Sequence, residues 1–481
     1  MEAGHVLSEV RRAHQRSNGW VGWSAVAYLF LVTAAVIIGE RPYFGNMDDG
    51  DWVAKAADLS PIAFVLSWDH FAFGNPRYAS FLGIWPLYRM AVDPMALFLV
   101  NAALVLLCLL AFWLAFRPLL GGVPSTVTAT FLSVAVIWPF TADLFFFPSL
   151  QEKFIILGAA GLLGWVRLAR RKPECVSTWI LLALLVPFAF TTKLHIVVFV
   201  PGVLLALWAG GSGASRAGLR RARVVASLVI IGASGVLGAL ALFGDYTRER
   251  RGDAFELTRL AEWRFLLVAG VTVAVALAYA FVWRVGLARV ETGAHGVCLT
   301  FLMTMVGAFL VWDVYQRHLA IVSVMIAGSA ASFTVSLGPR ARFAVAATAL
   351  VLAGAWQMYR LPHVFSSLGS FGDFIRSGQA ADLAEQETVV YSTCYEARYN
   401  YEFYAVREGL DGLKFGWLDD LDRLPLASEG SSAPVFVLAD HVLCPLAASE
   451  HFGAAEEVSE VWQSERSRGF RLISIADGGH P

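Results

Sequence analysis

Apolar runs of bilayer or near-bilayer length recur along this 481-residue chain, and they limit its fold more than any other feature. They cover Trp20 to Gly39, Met95 to Phe116, Val127 to Phe140, Phe154 to Val166, Trp179 to Phe190 and Ile196 to Gly211. They resume at Val224 to Gly244, Phe265 to Trp283, Gly296 to Trp312, Leu319 to Gly338 and Phe343 to Trp356. Lipid offers no partner to a backbone N–H or C=O, so each run must satisfy its own polar groups as a helix. With 57% hydrophobic and only 16% charged residues, the composition excludes an ordinary soluble domain. The runs predict an α-helical polytopic membrane protein of about eleven transmembrane helices, several of them short enough to need burial within the bundle.

The net charge of -1 hides an asymmetry that orients the chain. Of the 38 acidic residues, 19 follow Phe365, against 8 basic ones there. Arg11, Arg12 and Arg16, then Arg167, Arg170, Arg171 and Lys172, then Arg216, Arg220, Arg221 and Arg223, then Arg340 and Arg342 fall on one side of an eleven-span chain. By the positive-inside rule that side is the cytoplasm. The N-terminus is then cytoplasmic, its first span an uncleaved helix, and the C-terminal tail extracytoplasmic in a multi-pass cell-membrane protein. The segment "DYTRERRGDAFELTRLAEWR" from Asp245 breaks the rule, placing five arginines outside: either a span is miscounted or those arginines have an anionic partner.

Residues 1–360 read as the membrane domain, with a long first outer loop at 40–94, and residues 361–481 as a small α/β domain. In the loop, "SFLGIWPLYRMAVDP" suits either a helix lying in the membrane interface or a re-entrant hairpin. In the tail, "TVVYST" and "APVFVLA" read as strands, and "FGDFIRSGQAADLAEQ" and "AASEHFGAAEEVSEVWQ" as helical. The tyrosines of "CYEARYNYEFYA" suit the core of a small domain better than a sugar-stacking surface. Cys394 and Cys444 are the one pair placed for a disulfide. The basic residues are divided among turns and form no nucleic-acid module.

Chemistry concentrates at the outer ends of the spans. "GNMDDGDW" sets Asp48, Asp49 and Asp51 within four positions just after the first span, and the same loop holds Asp69, His70 and Arg77. Carboxylates crowded at a membrane surface repel one another, which raises at least one pKa toward the range of a general base. Glu152 and Lys153 in "PSLQEKF", Lys193 and His195 in "TTKLH", and Arg317 and His318 in "VYQRHLA" sit at other outer turns, where an ionisable group snorkels or has a partner. Together with Arg250 and Arg251 they supply positive charge opposite the acidic loop, as a phosphate-bearing ligand requires.

This arrangement resembles the GT-C superfamily of membrane glycosyltransferases: an acidic motif in a long first outer loop, about eleven spans, basic residues at later outer turns and a small extracytoplasmic C-terminal domain. The resemblance implies a GT-C-like fold and transfer of a sugar from a polyprenyl-phosphate donor to an acceptor hydroxyl, on a glycan or lipid-linked acceptor, at the outer face of the membrane. It implies Asp49 as general base, with Asp48 next and Asp51 assisting. Arg317 and Lys193, with Lys153, Arg250 and Arg251, would hold the donor phosphate, and Asp69, His70, Arg77, Glu152, His195 and His318 would line the substrate site. Such chemistry requires no cofactor, because a lipid-linked phosphate leaves readily; attack from the opposite face inverts the anomeric centre. A divalent cation, if one takes part, would sit on Asp48 and Asp49. The competing readings are a transporter or flippase of lipid-linked sugars, and a surface-polysaccharide polymerase or ligase depending on Arg317 and His318.

Overall fold

The computed structural model describes residues 22–42, 55–67, 77–90, 94–121, 123–208, 216–243, 262–284, 292–311, 316–392, 397–417, 435–440, 457–465 and 470–476. Asp48, Asp49, Asp51, Asp69, His70, Arg250, Arg251, Cys394 and Cys444 lie outside them. Each of the eleven apolar runs overlaps a helix within the described residues. Among the described residues six helices are long and apolar enough to cross a membrane, and four shorter apolar helices accompany them.

In chain order the α-helices are α1 (Gly22–Glu40), α2 (Pro61–Leu66), α3 (Tyr78–Arg89), α4 (Pro94–Phe116), α5 (Ser125–Ile137), α6 (Thr141–Phe146), α7 (Glu152–Arg171) and α8 (Val176–Phe190). After the 3-10 turn Leu194–Phe199 come α9 (Val200–Trp208), α10 (Arg216–Phe243), α11 (Trp263–Arg284) and α12 (Thr292–Val311). A second 3-10 turn, Gln316–Ile321, leads into α13 (Val322–Val335) and α14 (Pro339–Ile375). Helix α4, apolar on every face, is the most enclosed of the early spans: Phe98, Val105, Leu109 and Trp113 are fully buried. It packs along α7, while α5 is held between α13 and α14. Small residues permit the closest crossings, since a β-carbon on Gly202 would come within 2.0 Å of the Phe301 ring. Helices α1 and α14 are joined through Gln357, whose Nε2 donates to Thr33 Oγ1 at 2.7 Å.

At 37 residues, α14 is about 55 Å long, against about 30 Å for the hydrocarbon core of a bilayer. The helix therefore projects well beyond one face, and it runs unbroken through residue 360. Its last two turns carry Phe371, Phe374 and Ile375 into a second hydrophobic core, separate from that of the bundle. That core joins α2 and α3 of the first loop to the C-terminal sheet, through Phe64, Phe81, Ile84 and Tyr88 on one side and Val390, Leu438 and Leu472 on the other.

Among the described residues the sheet has five strands, β1 (Val389–Ser392), β2 (Lys414–Trp417), β3 (Val435–Asp440), β4 (Glu457–Gln463) and β5 (Phe470–Ala476), in the order β2-β1-β3-β5-β4. Strand β1 is parallel to β2 and β3, and β5 is antiparallel to β3 and β4. Helices α15 (Gly378–Glu385) and α16 (Ala397–Arg407) precede β1 and β2. Tyr401 and Tyr404 of α16 are buried, with Tyr401 stacked on Phe371 at 4.0 Å between centroids, so these two rings are core. The expected strands at "TVVYST" and "APVFVLA" are β1 and β3. The helix expected across "AASEHFGAAEEVSEVWQ" is corrected: Glu457–Gln463 is an edge strand, bulged between Glu460 and Trp462. The alanines and glutamates of the quoted segment favour a helix locally, but pairing with β5 on both sides of the bulge outweighs a preference of a few tenths of a kcal/mol per residue.

Candidate functional site

Three turns distant in sequence meet at one end of the bundle. The turn before α7 presents Glu152 and Lys153, the turn after α8 presents Lys193 and His195, and the 3-10 turn before α13 contains Arg317 and His318. Glu152 and Lys153 are fully buried, and Lys193, His195 and His318 nearly so. Their positions at element ends follow from local chemistry: Pro148 and Pro187 interrupt the helical hydrogen-bond ladder, and Lys193 is extended (φ -175, ψ 154) as it enters the 3-10 turn.

Lys193 is the hub. Its Nζ donates to Glu152 Oε1 at 2.6 Å and lies 3.1 Å from His318 Nε2. An ammonium has only donors, so that imidazole nitrogen accepts, which puts the ring proton on Nδ1. His318 Nε2 is also 3.6 Å from Glu152 Oε1, and the His195 ring lies against the His318 ring at 3.9 Å between centroids. Lys153 turns the other way: its Nζ donates to Asn101 Oδ1 at 2.8 Å and to the Pro148 carbonyl at 2.5 Å. Asn101 Nδ2 donates in turn to the carbonyls of Leu144 and Phe145, at 2.8 and 3.1 Å. A single amide in the middle of α4 thereby fixes both Lys153 and the helix α6.

Helix α6 brings a second carboxylate to this end. Asp143 is buried, and loss of solvent pushes its carboxyl up to about 7; the Arg360 charge on α14 opposes the rise and the Glu152 charge adds to it. Near neutrality Asp143 is therefore divided between its neutral and charged forms. Two lysines, Lys153 and Lys193, thus stand at the same end of the bundle as Glu152 and Asp143. Next to Glu152, the Oε1 of Gln151 is buried with no hydrogen-bond partner among the described residues, a free acceptor at the same helix start.

Of the residues singled out from sequence, the structure brings Glu152, Lys193 and His318 into mutual contact, lays His195 against His318, sets Lys153 beside them, and places Arg317 in the same turn as His318. Arg77, half-buried, is the N-cap of α3, and the next residues of that helix hydrogen-bond to the Lys193 turn. Among the described residues there is no group of three or more His, Cys, Asp or Glu placed to hold a metal ion. Sequence reasoning missed Asn101, Asp143, Gln151 and Arg360. The signal for the first two is a lone polar residue within an apolar stretch, "FLVNAALV" and "TADLFFF".

No protein-family model matches the chain, and no curated protein does. Among solved structures, the chain is similar to the crystal structure of ArnT from Cupriavidus metallidurans bound to undecaprenyl phosphate, at 13% identity over 95% of this chain and 98% of that one, with a TM-score of 0.48. At that TM-score the likeness is too weak to carry any conclusion on fold or chemistry.

Proposed function

We propose that the protein is a membrane glycosyltransferase that moves a sugar from a polyprenyl-phosphate donor to an acceptor hydroxyl, with the Lys193 cluster receiving the phosphate and a loop aspartate, Asp49 first, serving as base. The observation that carries this reading is the meeting of Glu152, Lys193 and His318, separated by 41 and 125 residues in sequence, in one buried cluster at the end of a helix bundle built to cross a membrane. A buried ion pair contributes little to stability compared with an apolar replacement, so its presence at a helix-end turn favours a role in recognising charge.

In the proposed reaction the glycosidic C–O bond to the donor phosphate breaks and the acceptor oxygen bonds to the anomeric carbon. The bonding pair leaves with the phosphate, whose negative charge Lys193, assisted by Arg317, offsets. The acceptor proton passes to Asp49. Glu152 and His318 hold the Lys193 ammonium in place, and an electrostatic partner held in advance is worth more than one that must reorganise during the reaction. Gln151 Oε1 accepts a hydrogen bond from a substrate hydroxyl.

The test is transfer of labelled sugar from a polyprenyl-phosphate donor by the full chain in proteoliposomes, with Asp48, Asp49 and Asp51 changed singly to Asn and Lys193 to Gln. The reading expects Asp49→Asn to lose at least a hundredfold in turnover and Lys193→Gln to weaken donor use. Full activity in all three aspartate variants rejects the base, whereas absence of transfer by the parent protein shifts weight to lipid-linked sugar transport. Full activity in those variants together with loss in His318→Ala points instead to a polysaccharide polymerase or ligase.

A further inference from the structure

Helix α3 is bound directly to the turn that holds Lys193. The Ala79 amide donates to the Thr191 carbonyl at 3.1 Å, and the Ser80 hydroxyl, fully buried, donates to the Thr192 carbonyl at 2.6 Å. The second bond fixes the peptide group that leads into Lys193. One turn further on, Gly83 lies so close to Phe154, the neighbour of Lys153, that a β-carbon there would stand 2.3 Å from the ring. A single helix thus rests on both basic turns of the site.

Helix α3 is also held from outside the bundle. Phe81, Ile84, Leu87 and Tyr88 belong to the core shared with Phe371 and Phe374 of α14 and with Leu438 and Leu472 of the sheet. Trp85 Nε1 donates to the Leu59 carbonyl at 3.0 Å, and Arg89 to the Ala56 and Ala57 carbonyls, so the end of α3 is also anchored. The sheet is fixed in turn to α14: Ser464 Oγ donates to Ser370 Oγ at 2.7 Å, and Trp462 packs on Phe374 at 5.4 Å between centroids.

We infer that Ser80 is a positioning residue for Lys193, and that the C-terminal sheet is the brace that presses α3 onto the site. The inference rests on the assignment of Lys193 to the donor phosphate for its kinetic consequence, but its structural consequence stands without it. A helix that shares an apolar core with the sheet and hydrogen bonds with an active turn transmits the position of one to the other. The sheet therefore acts on the reaction without touching substrate.

The test measures acylation of Lys193 by acetic anhydride in the full chain in lipid, read by peptide mass spectrometry, with exposed Lys172 at the opposite end of α7 as the internal reference. Ser80→Ala should raise the Lys193 rate about five- to tenfold, the effect of one lost hydrogen bond, and leave Lys172 unchanged. Ser80→Thr, which keeps the hydroxyl, should restore the slow rate. Ser464→Ala and Phe374→Leu should each raise the Lys193 rate by a smaller factor. In the transfer assay Ser80→Ala should raise KM for the donor by a similar factor with kcat within about twofold of the parent. An unchanged Lys193 rate in Ser80→Ala overturns the positioning role, as does equal acceleration at both lysines. An unchanged rate in both sheet variants overturns the brace. Normal donor use by Lys193→Gln would instead overturn the phosphate assignment, and the labelling result would still decide the positioning.

Discussion

Replacing Lys193 with Met isolates what the buried cluster costs when it is broken. The ammonium lies 2.6 Å from Glu152 Oε1, and the two side chains are only 6% and 0% exposed. Methionine keeps the length and volume but removes the charge, leaving the Glu152 carboxylate buried beside an apolar chain. Removing one partner of a buried pair typically costs about 3–5 kcal/mol. The pair Lys414–Glu402 on the sheet supplies the control: at 3.9 Å and about half exposed, it should give no more than about 1 kcal/mol when Lys414 becomes Gln. Unfolding in lipid bicelles, followed by tryptophan fluorescence, measures both. The double variant Lys193→Met with Glu152→Gln should recover most of the loss, because no buried charge remains without its partner. If Lys193→Met is as mild as Lys414→Gln, or if the double variant is no better than the single, the cluster does not hold a buried ion pair in the folded protein.

Further outcomes follow from other residues. Asp143 is held near 7 in the fold against 3.8 in an unfolded chain, so the folded state binds more protons between those values. Its stability contribution is fully present below about pH 4 and lost as pH rises through about 7; Asp143→Asn should flatten that part of the stability profile and be the more stable protein at pH 8. Asn101→Leu removes the bonds to Leu144, Phe145 and Lys153 and should cost about 2–4 kcal/mol in the same unfolding measurement, with donor use reduced. Gly202→Ala drives a methyl into Phe301 and should destabilise by about 1–3 kcal/mol, with Phe301→Leu in the same chain restoring most of it.

The helices were legible in the sequence because an apolar run in lipid has one way to satisfy its backbone, and every run noted there overlaps a helix within the described residues. The charged turns were legible for a related reason: "QEKF", "TTKLH" and "QRHLA" set costly charges at the ends of apolar runs. Their convergence was not. That Lys193 bonds Glu152 and His318, rather than snorkelling to water, depends on how α7, α8 and α13 pack, and no local pattern encodes packing across 125 residues. Asn101 and Asp143 were overlooked because one polar residue scarcely disturbs the apolar pattern of its helix, although its hydrogen bonds or charge decide what the helix does. Strand β4 was misread because the Ala and Glu of its segment set a weak helical preference, and that preference carries no sign of the pairing with β5. The paired roles of α3 and the sheet were likewise invisible, since their common core draws on residues from Ala56 to Leu472.

The central claim is that the cluster around Lys193 receives a lipid-linked phosphate. A photoreactive polyprenyl phosphate, cross-linked to the full chain in proteoliposomes and mapped by mass spectrometry, tests it most directly. The account predicts cross-links on the peptides carrying Lys153, Lys193 and His318, competed by unlabelled polyprenyl phosphate and reduced at least tenfold in Lys193→Gln. Cross-links confined to the opposite end of the bundle, or labelling of the cluster unchanged in Lys193→Gln, would contradict it.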